Sequence, residues 1–380
     1  LPQRTAAANG RFRILVTADA ADGTWQYSVD LARGLSLLGV ETVLAAIGPP
    51  PSAEQRRTAA AVPALALVET GFVLDRLADD GNAFAEAGEG IARLARTVGA
   101  DLVQLNSAAL AADVAFGVPV VVVHHRCVAT WWRAVYGTGL PEDFAWRTRR
   151  VARGLAAAEI VVTPTAAFGK MVRRCYGLAR PPRPVHNGRT PPPLPCAAPN
   201  DFVFTAGRLW DEGKNLGTID AAAAGLGVPV RAAGPLKRPG GAEVMFDNLH
   251  CLGALGEAEL ARWLSARPVF VSAALYEPFG LAVLEAAAAG CPLILSDIPC
   301  YRELWDGVAT FVPTRDERAF TDAIAALVGD DVERAVQGRA TRERALRYTP
   351  DAMAAQMAAI YRSLLPSVRG PVLAAARAAA

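Results

Sequence analysis

The sequence predicts two α/β domains, each built on a mostly parallel, doubly wound sheet. Three observations carry that reading. Short apolar strands alternate with helical stretches along the chain. The alternation breaks once, in a proline-dense stretch between Pro181 and Pro199. The 380 residues also exceed one core of ordinary size, at roughly 150 residues per domain.

In the first half, Arg11–Thr17 (RFRILVT) reads as a strand, followed by a loop, ADAADGTWQ. Apolar residues at helical spacing from Tyr27 to Leu38 predict a helix that Gly39 closes. Glu41–Ile47 (ETVLAAI) then completes a βαβ unit. Asp101–Leu105, Val118–Val123 and Ile160–Thr163 are apolar runs of strand length, and a helix is expected to open near Ala166. Proline density between Pro181 and Pro199 opposes helix and sheet alike, which places the interdomain linker there and divides the chain at 190/191. A second series follows, with strands at Phe202–Ala206, Pro229–Ala233, Val269–Ser272, Leu293–Ser296 and Ala309–Val312. Helices are expected at Leu281–Ala289 and Pro350–Leu365.

Composition excludes several function classes. Apolar residues make up 52%, charged residues 20%, and the net charge is +2, without the basic excess of a nucleic-acid-binding domain. The six cysteines are scattered, with no Cys-x-x-Cys pair, and read as free thiols in a reducing compartment. The four histidines form no ligand set, so no metal is expected. The longest apolar runs, such as Ala59–Val68, fall short of the ~18 residues of a spanning helix. The first ten residues lack an apolar signal core, so a cytoplasmic location is expected, with peripheral contact at the inner membrane left open.

The chemistry gathers in four places. In YEPFGLAVLE a strand end is followed by a loop with Glu277 and Gly280, then by a helix from Leu281. The first N–H groups of such a helix suit a phosphate, Gly280 admits close approach, and Glu277 and Glu285 can accept from separate sets of hydroxyls. The competing reading is a capped surface helix with solvated acids. In TAGRLWDEGKN, Arg208 and Lys214 follow a parallel strand, where such sheets bind ligands; they suit a departing diphosphate or form a solvated basic loop. Gly23, in the loop after the first strand, marks a phosphate approach or a simple turn. His124 and His125 close the VPVVVV strand, and Trp131 and Trp132 offer either core packing or a platform for a sugar ring.

At YEPFGLAVLE the chain resembles family 4 of the retaining glycosyltransferases, which have the GT-B fold. GRLWDEGKN, VHNG, VVVHHRCVATWWRAV, ADGTWQYSVDLARGL and SDIPCYRELWDG extend the resemblance over most of the chain, in that family's order. The resemblance implies two Rossmann-like domains facing across a cleft: acceptor domain 1–190, nucleotide-sugar domain 191–347, and a segment 348–380 crossing back to the first domain. It implies that Arg208 and Lys214 bind the donor diphosphate, Glu277 the donor sugar and Glu285 the ribose. Backbone N–H groups of Phe279, Gly280 and Leu281 would contact the donor. His125, aligned in preference to His124, would face the anomeric centre, Gly23 would belong to the loop closing over the phosphates, and Leu255 would lie by the nucleobase. Asp22 departs from the Gly-Gly pair of many relatives in that loop.

The resulting expectation is a metal-independent, retaining hexosyltransferase. It uses a nucleoside-diphosphate sugar as co-substrate, no cofactor, and a carbohydrate or glycolipid acceptor. The alternatives are a nucleotide-sugar epimerase of similar architecture and a non-catalytic nucleotide-sugar-binding protein. Arg147, Arg149, Arg150, Arg153, Arg173 and Arg174 could face anionic lipid, or form ordinary solvated helix faces.

Overall fold

The computed structural model describes residues 12–21, 23–72, 81–191, 193–195, 201–238 and 241–365. Arg11, Asp22, Cys196, the last linker residues and the tail 371–380 lie outside the described residues.

The first sheet comprises β1 (Phe12–Asp19), β2 (Val40–Ile47), β3 (Leu65–Glu69), β4 (Leu102–Leu105), β5 (Val120–Val123), β6 (Ile160–Thr163) and β7 (Arg183–Pro184). Its connections carry helices α1 (Gly23–Leu37), α2 (Ala53–Ala60), α3 (Gly81–Thr97), α4 (Val128–Tyr136), α5 (Ala145–Ala157) and α6 (Ala166–Tyr176). The second sheet comprises β8 (Val203–Ala206), β9 (Val230–Ala233), β10 (Leu249–Gly253), β11 (Val269–Ser272), β12 (Leu293–Ser296) and β13 (Thr310–Val312). Around it lie α7 (Leu216–Ala223), α8 (Glu257–Ser265), α9 (Leu281–Ala289), α10 (Pro299–Trp305), α11 (Glu317–Val328) and α12 (Asp331–Ala345). The closing helix is α13 (Pro350–Leu364).

The sheet orders are β3-β2-β1-β4-β5-β6-β7 and β10-β9-β8-β11-β12-β13, and all the described ladders within them are parallel. Helices cover both faces, so the central strands are buried on both sides. That is why β5 reads VVVV and β12 reads LILS without alternation. Strand order reverses between β1 and β4, and again between β8 and β11. In doubly wound sheets the crevice outside the carboxyl ends of those strands is where ligands bind.

Four sequence expectations need correction. Arg183–Pro184 is an edge strand: β7 pairs with β6, and Val185 N–H donates to the Thr163 carbonyl at 2.9 Å. Proline is tolerated there because an edge strand needs no inward donor at that position. The apolar run Ala59–Val68 is divided between the end of α2 and β3, and Leu249–Gly253 is an edge strand that the sequence did not predict. The first helix begins at Gly23, four residues before Tyr27.

Helix α13 packs on the first domain. Met353, Ala354, Met357, Ala358 and Tyr361 are buried there in one core with Val29, Leu31 and Leu35 of α1. Each fully buried large side chain contributes about 1.5–3 kcal/mol. Close approach is possible because Gly34 has no side chain: a Cβ there would lie 2.6 Å from Ala354 Cβ. The Tyr361 hydroxyl donates to the Gln104 side chain. Both connections between the domains therefore meet: Arg189 N–H donates to the Tyr348 carbonyl at 3.2 Å, beside the entry to α13.

Candidate functional site

The loops after β8 and β11 meet at the reversal point of the second sheet. The first carries Gly207, Arg208 and Lys214, the second Glu277 to Gly280. Lys214 Nζ forms an ion pair with Glu277 Oε2, and the two side chains are only 18% and 15% exposed. A Cβ on Gly207 would lie 3.3 Å from Lys214 Cε, so the lysine stem lies along glycine backbone. Arg208 donates through Nε and Nη2 to Asp211 Oδ2, at 3.2 and 2.7 Å. Burial raises the Asp211 carboxyl, but the Arg208 guanidinium, with the Trp131 and Gly213 N–H groups, holds it below the usual range. The two cations expected from sequence are thus each held by a carboxylate rather than solvated.

Helix α9 opens at this place. Its N-cap is Gly280 at φ +90°, a left-handed conformation, and it supplies no capping side chain. A Cβ at Gly280 would lie 3.1 Å from Tyr301 Cε1 and 3.3 Å from Glu277 Cγ, so a side chain would crowd the glutamate. The first N–H groups of α9 therefore face the loop with the helix dipole behind them. Phe279 is buried, its ring 5.9 Å from that of Tyr348, which leaves its backbone for any ligand. Leu281 approaches the other domain: a Cβ on Gly23 would lie 4.0 Å from Leu281 Cδ1.

Glu285 lies one turn on from Leu281, on the same helix face. Its Oε1 accepts from Arg189 Nε at 2.8 Å, yet burial still raises its carboxyl above the usual range. Leu255 sits apart, half-buried on the loop after β10. That loop is tied back to the site by the glycine backbone, since Gly234 N–H donates to the Gly253 carbonyl at 2.7 Å and Gly207 N–H to the Ala233 carbonyl at 3.0 Å. A Cβ on Gly234 would overlap the Gly207 carbonyl oxygen at 1.7 Å, so only glycine permits this stacking of loops.

On the first domain the two histidines diverge. His124 is buried, stacked on Phe168 and edge-on to Tyr176. His125 is half-exposed; its Nε2 is 3.1 Å from Asn106 Oδ1 and its ring is edge-on to Tyr27, 4.5 Å between centroids. Asn106 follows β4 at the reversal point of the first sheet and is anchored by donation to the Thr17 carbonyl and Ser28 Oγ. His124 instead serves Cys127, which caps α4. Burial opposes ionisation of that thiol, but the His124 hydrogen bond and charge bring it down to about 7.

The two domains are hydrogen-bonded at the site. Thr165 Oγ1 donates to the Pro278 carbonyl at 2.9 Å, and Tyr276 Oη is 2.8 Å from Thr130 Oγ1. Trp131 Nε1 donates to Asp211 Oδ1 at 2.9 Å, which links the first domain to the carboxylate holding Arg208. Trp132 donates instead to Thr138 and packs with Tyr136 and Phe144. Ala166 and Ala167 N–H groups, at the start of α6, donate to the Glu303 carboxylate at 2.8 and 2.7 Å.

Asn106, Tyr27, Asp211, Arg189 and Glu303 were missed in the sequence reading. Only Asp211 left a local signal, three residues after Arg208. The basic face is narrower than the arginine count suggests: Arg150 is buried against the Ala109 and Ala112 carbonyls, and the exposed Arg153 is paired with Asp113 at the surface, while Arg149, Arg173 and Arg174 are also exposed. Among the described residues no helix is long and apolar enough to cross a membrane, and no cluster of three or more His, Cys, Asp or Glu could hold a metal. Cys127, Cys175, Cys251, Cys291 and Cys300 are free thiols.

Two family models match the chain: Glycosyltransferase Family 4 over residues 21–191 and Glycosyl transferases group 1 over residues 203–330. A phosphatidyl-myo-inositol mannosyltransferase of Mycobacterium leprae is 32% identical over 126 residues, 32% of this chain and 34% of that protein. The chain thus aligns with about a third of the length of such curated relatives. Among solved structures, sucrose-phosphate synthase of Thermosynechococcus elongatus superposes with a TM-score of 0.76 at 19% identity, covering 94% of this chain and 100% of that one. Anabaena Alr3699/HepE in complex with UDP-glucose gives 0.69 at 17%, covering 93% and 100%.

Proposed function

Because the chain belongs to the glycosyltransferases of GT-B fold, with a family 4 first half and a group 1 second half, we propose that it transfers a hexosyl group from a nucleoside diphosphate to an acceptor hydroxyl, with retention and without a metal. The observation that carries this reading is the Lys214–Glu277 pair beside the uncapped start of α9, at the reversal point of the second sheet. Similar proteins include a phosphatidyl-myo-inositol mannosyltransferase and a structure in complex with UDP-glucose. Mannose or glucose is accordingly the donor sugar, and a glycolipid or carbohydrate is the acceptor.

In this reading the bond from the anomeric carbon to the phosphate oxygen breaks first, and its electron pair leaves with the diphosphate. Lys214, Arg208 and the N–H groups of Phe279, Gly280 and Leu281 receive the growing negative charge. Such preorganised donors contribute about 3 kcal/mol each. Glu277 orients the sugar hydroxyls, held by the same lysine that meets the phosphate. The acceptor oxygen bonds to the anomeric carbon on the face the phosphate leaves, and its proton passes to the departing phosphate oxygen. His125 faces the sugar from the first domain, fixed by Asn106. Gly23 closes over the phosphates beside Leu281, Glu285 accepts from the ribose, and Leu255 borders the base. Contact between the domains excludes water that would hydrolyse the donor. A lipid-linked acceptor would bring the exposed Arg149, Arg173 and Arg174 toward a membrane surface.

The test is a donor panel of UDP-, GDP-, ADP- and dTDP-linked glucose and mannose, offered with glycolipid and sugar acceptors and read by NMR of the product's anomeric proton. Transfer with the donor's configuration is the expected result. A donor that is epimerised without transfer, or a product of inverted configuration, overturns the proposal.

A further inference from the structure

Glu285 is not alone at the hinge. Arg189, in the connection between the domains, has a side chain only 7% exposed, and its guanidinium reaches three carboxylates. Nε donates to Glu285 on α9 at 2.8 Å, Nη2 to Glu257 on α8 at 2.8 Å, and Nη1 to Asp30 on α1 at 3.4 Å. Asp30 is 1% exposed and also receives Gln26 and Arg33. Burial acts to raise both Asp30 and Glu285 above the usual carboxylate range. Stripped of the Arg189 guanidinium, the buried Glu285 carboxylate would take up a proton or swing toward water. Arg189 itself is fixed at the backbone, where its N–H bonds Tyr348, and Gly188 is pressed against Thr349. The fork of a guanidinium can hold three acceptors in one geometry, which a lysine ammonium does not reproduce.

We propose that Arg189 is a positioning residue for nucleotide recognition: it holds the Glu285 carboxylate aimed at the ribose hydroxyls and ties that carboxylate to Asp30 of the first domain. The inference rests on the reading of Glu285 as the ribose acceptor. Arg189 touches no substrate; it acts through Glu285. Its three arms span both domains, so the carboxylate is correctly placed only while the hinge keeps the arrangement seen here.

The experiment compares the affinities of UDP, GDP and ADP with those of their 2′,3′-dideoxy forms, by calorimetry on the full chain. The tightest-binding base is then used throughout. The wild type should prefer the ribo form by about tenfold, equivalent to ~1.4 kcal/mol. Glu285→Gln should reduce that preference to about twofold. Arg189→Met should do the same while leaving dideoxy affinity unchanged, and adding it to Glu285→Gln should cost nothing further. Arg189→Lys should restore only part of the preference. A purely structural arginine would weaken both ligand forms equally and leave the ratio intact. If Arg189→Met keeps the wild-type ratio while Glu285→Gln loses it, the proposal for Arg189 is wrong and the role of Glu285 stands. If Glu285→Gln keeps the ratio, the ribose reading fails and the proposal falls with it. Should Arg189→Met not fold, Arg189→Gln is judged by the same ratio and the same two outcomes.

Discussion

Replacing Lys214 by Met removes one charge from the centre of the proposed site while keeping most of the length of the side chain. Two costs follow from the geometry. The first falls on the reaction: a preorganised cation at developing phosphate charge contributes about 3 kcal/mol, so kcat should drop by roughly 10²-fold. The second falls on stability. Glu277 is left without its counter-ion at 15% exposure. Losing one partner of a fully buried pair costs about 3–5 kcal/mol; solvent reaches this pair, so about 1–2 kcal/mol is expected here. The assay is product formation at saturating donor, with thermal unfolding followed on the same preparations. Lys170→Met, at an exposed lysine on α6, serves as the control and should leave kcat unchanged. A folded Lys214→Met variant with kcat within about threefold of wild type would refute the placing of the diphosphate at Lys214.

Other perturbations separate the site from its frame. Gly280→Ala forces a Cβ into a left-handed residue, 3.1 Å from Tyr301 Cε1, and should cost about 1–2 kcal/mol of stability while reducing kcat further by displacing Glu277; urea unfolding and turnover on one preparation would show both. Glu303 is the pH probe: burial raises its carboxyl, but His186 and the Ala166 and Ala167 N–H groups together bring it below the ordinary 4.5. A depressed folded value means stability that is present above pH 4.5 and lost as pH falls through the folded value. The Tm gap between wild type and Glu303→Gln should therefore be full at pH 6 and shrink on acidification below about 4.5; a gap constant with pH would contradict this. Met357→Ala in α13, at 0% exposure in the first-domain core, should cost about 2–5 kcal/mol, measured by urea unfolding of the whole chain.

The fold was legible where burial made the signal one-sided. β5, β11 and β12 are buried on both faces and read as near-continuous apolar runs, as does Ile14–Val16 within β1. The strands that escaped notice are edges. β3 is half-buried along most of its length, β7 is two residues within a proline-rich stretch, and β10 carries His250 and Cys251. An edge strand is fixed by its neighbour's hydrogen bonds, which leave no periodicity in its own sequence. The same division holds at the site. Lys214, Glu277 and Gly280 stand on loops that directly follow strands, so their place follows from topology alone. Arg189 reaches Asp30 across 159 residues and Trp131 reaches Asp211 across 80, and no local pattern encodes such partners. Charge counting also overstated the free cations, because Asp211 and Glu277 are recognisable as counter-ions only once the loops are folded together.

A crystal structure of the chain with the nucleoside diphosphate that binds it most tightly would locate the diphosphate directly. Diphosphate oxygens are expected within hydrogen-bond distance of Lys214 Nζ, the Arg208 guanidinium and the Leu281 N–H, with the ribose against Glu285. A nucleotide bound at another place, with the Lys214–Glu277 loop pair and the start of α9 left empty, would contradict this placing.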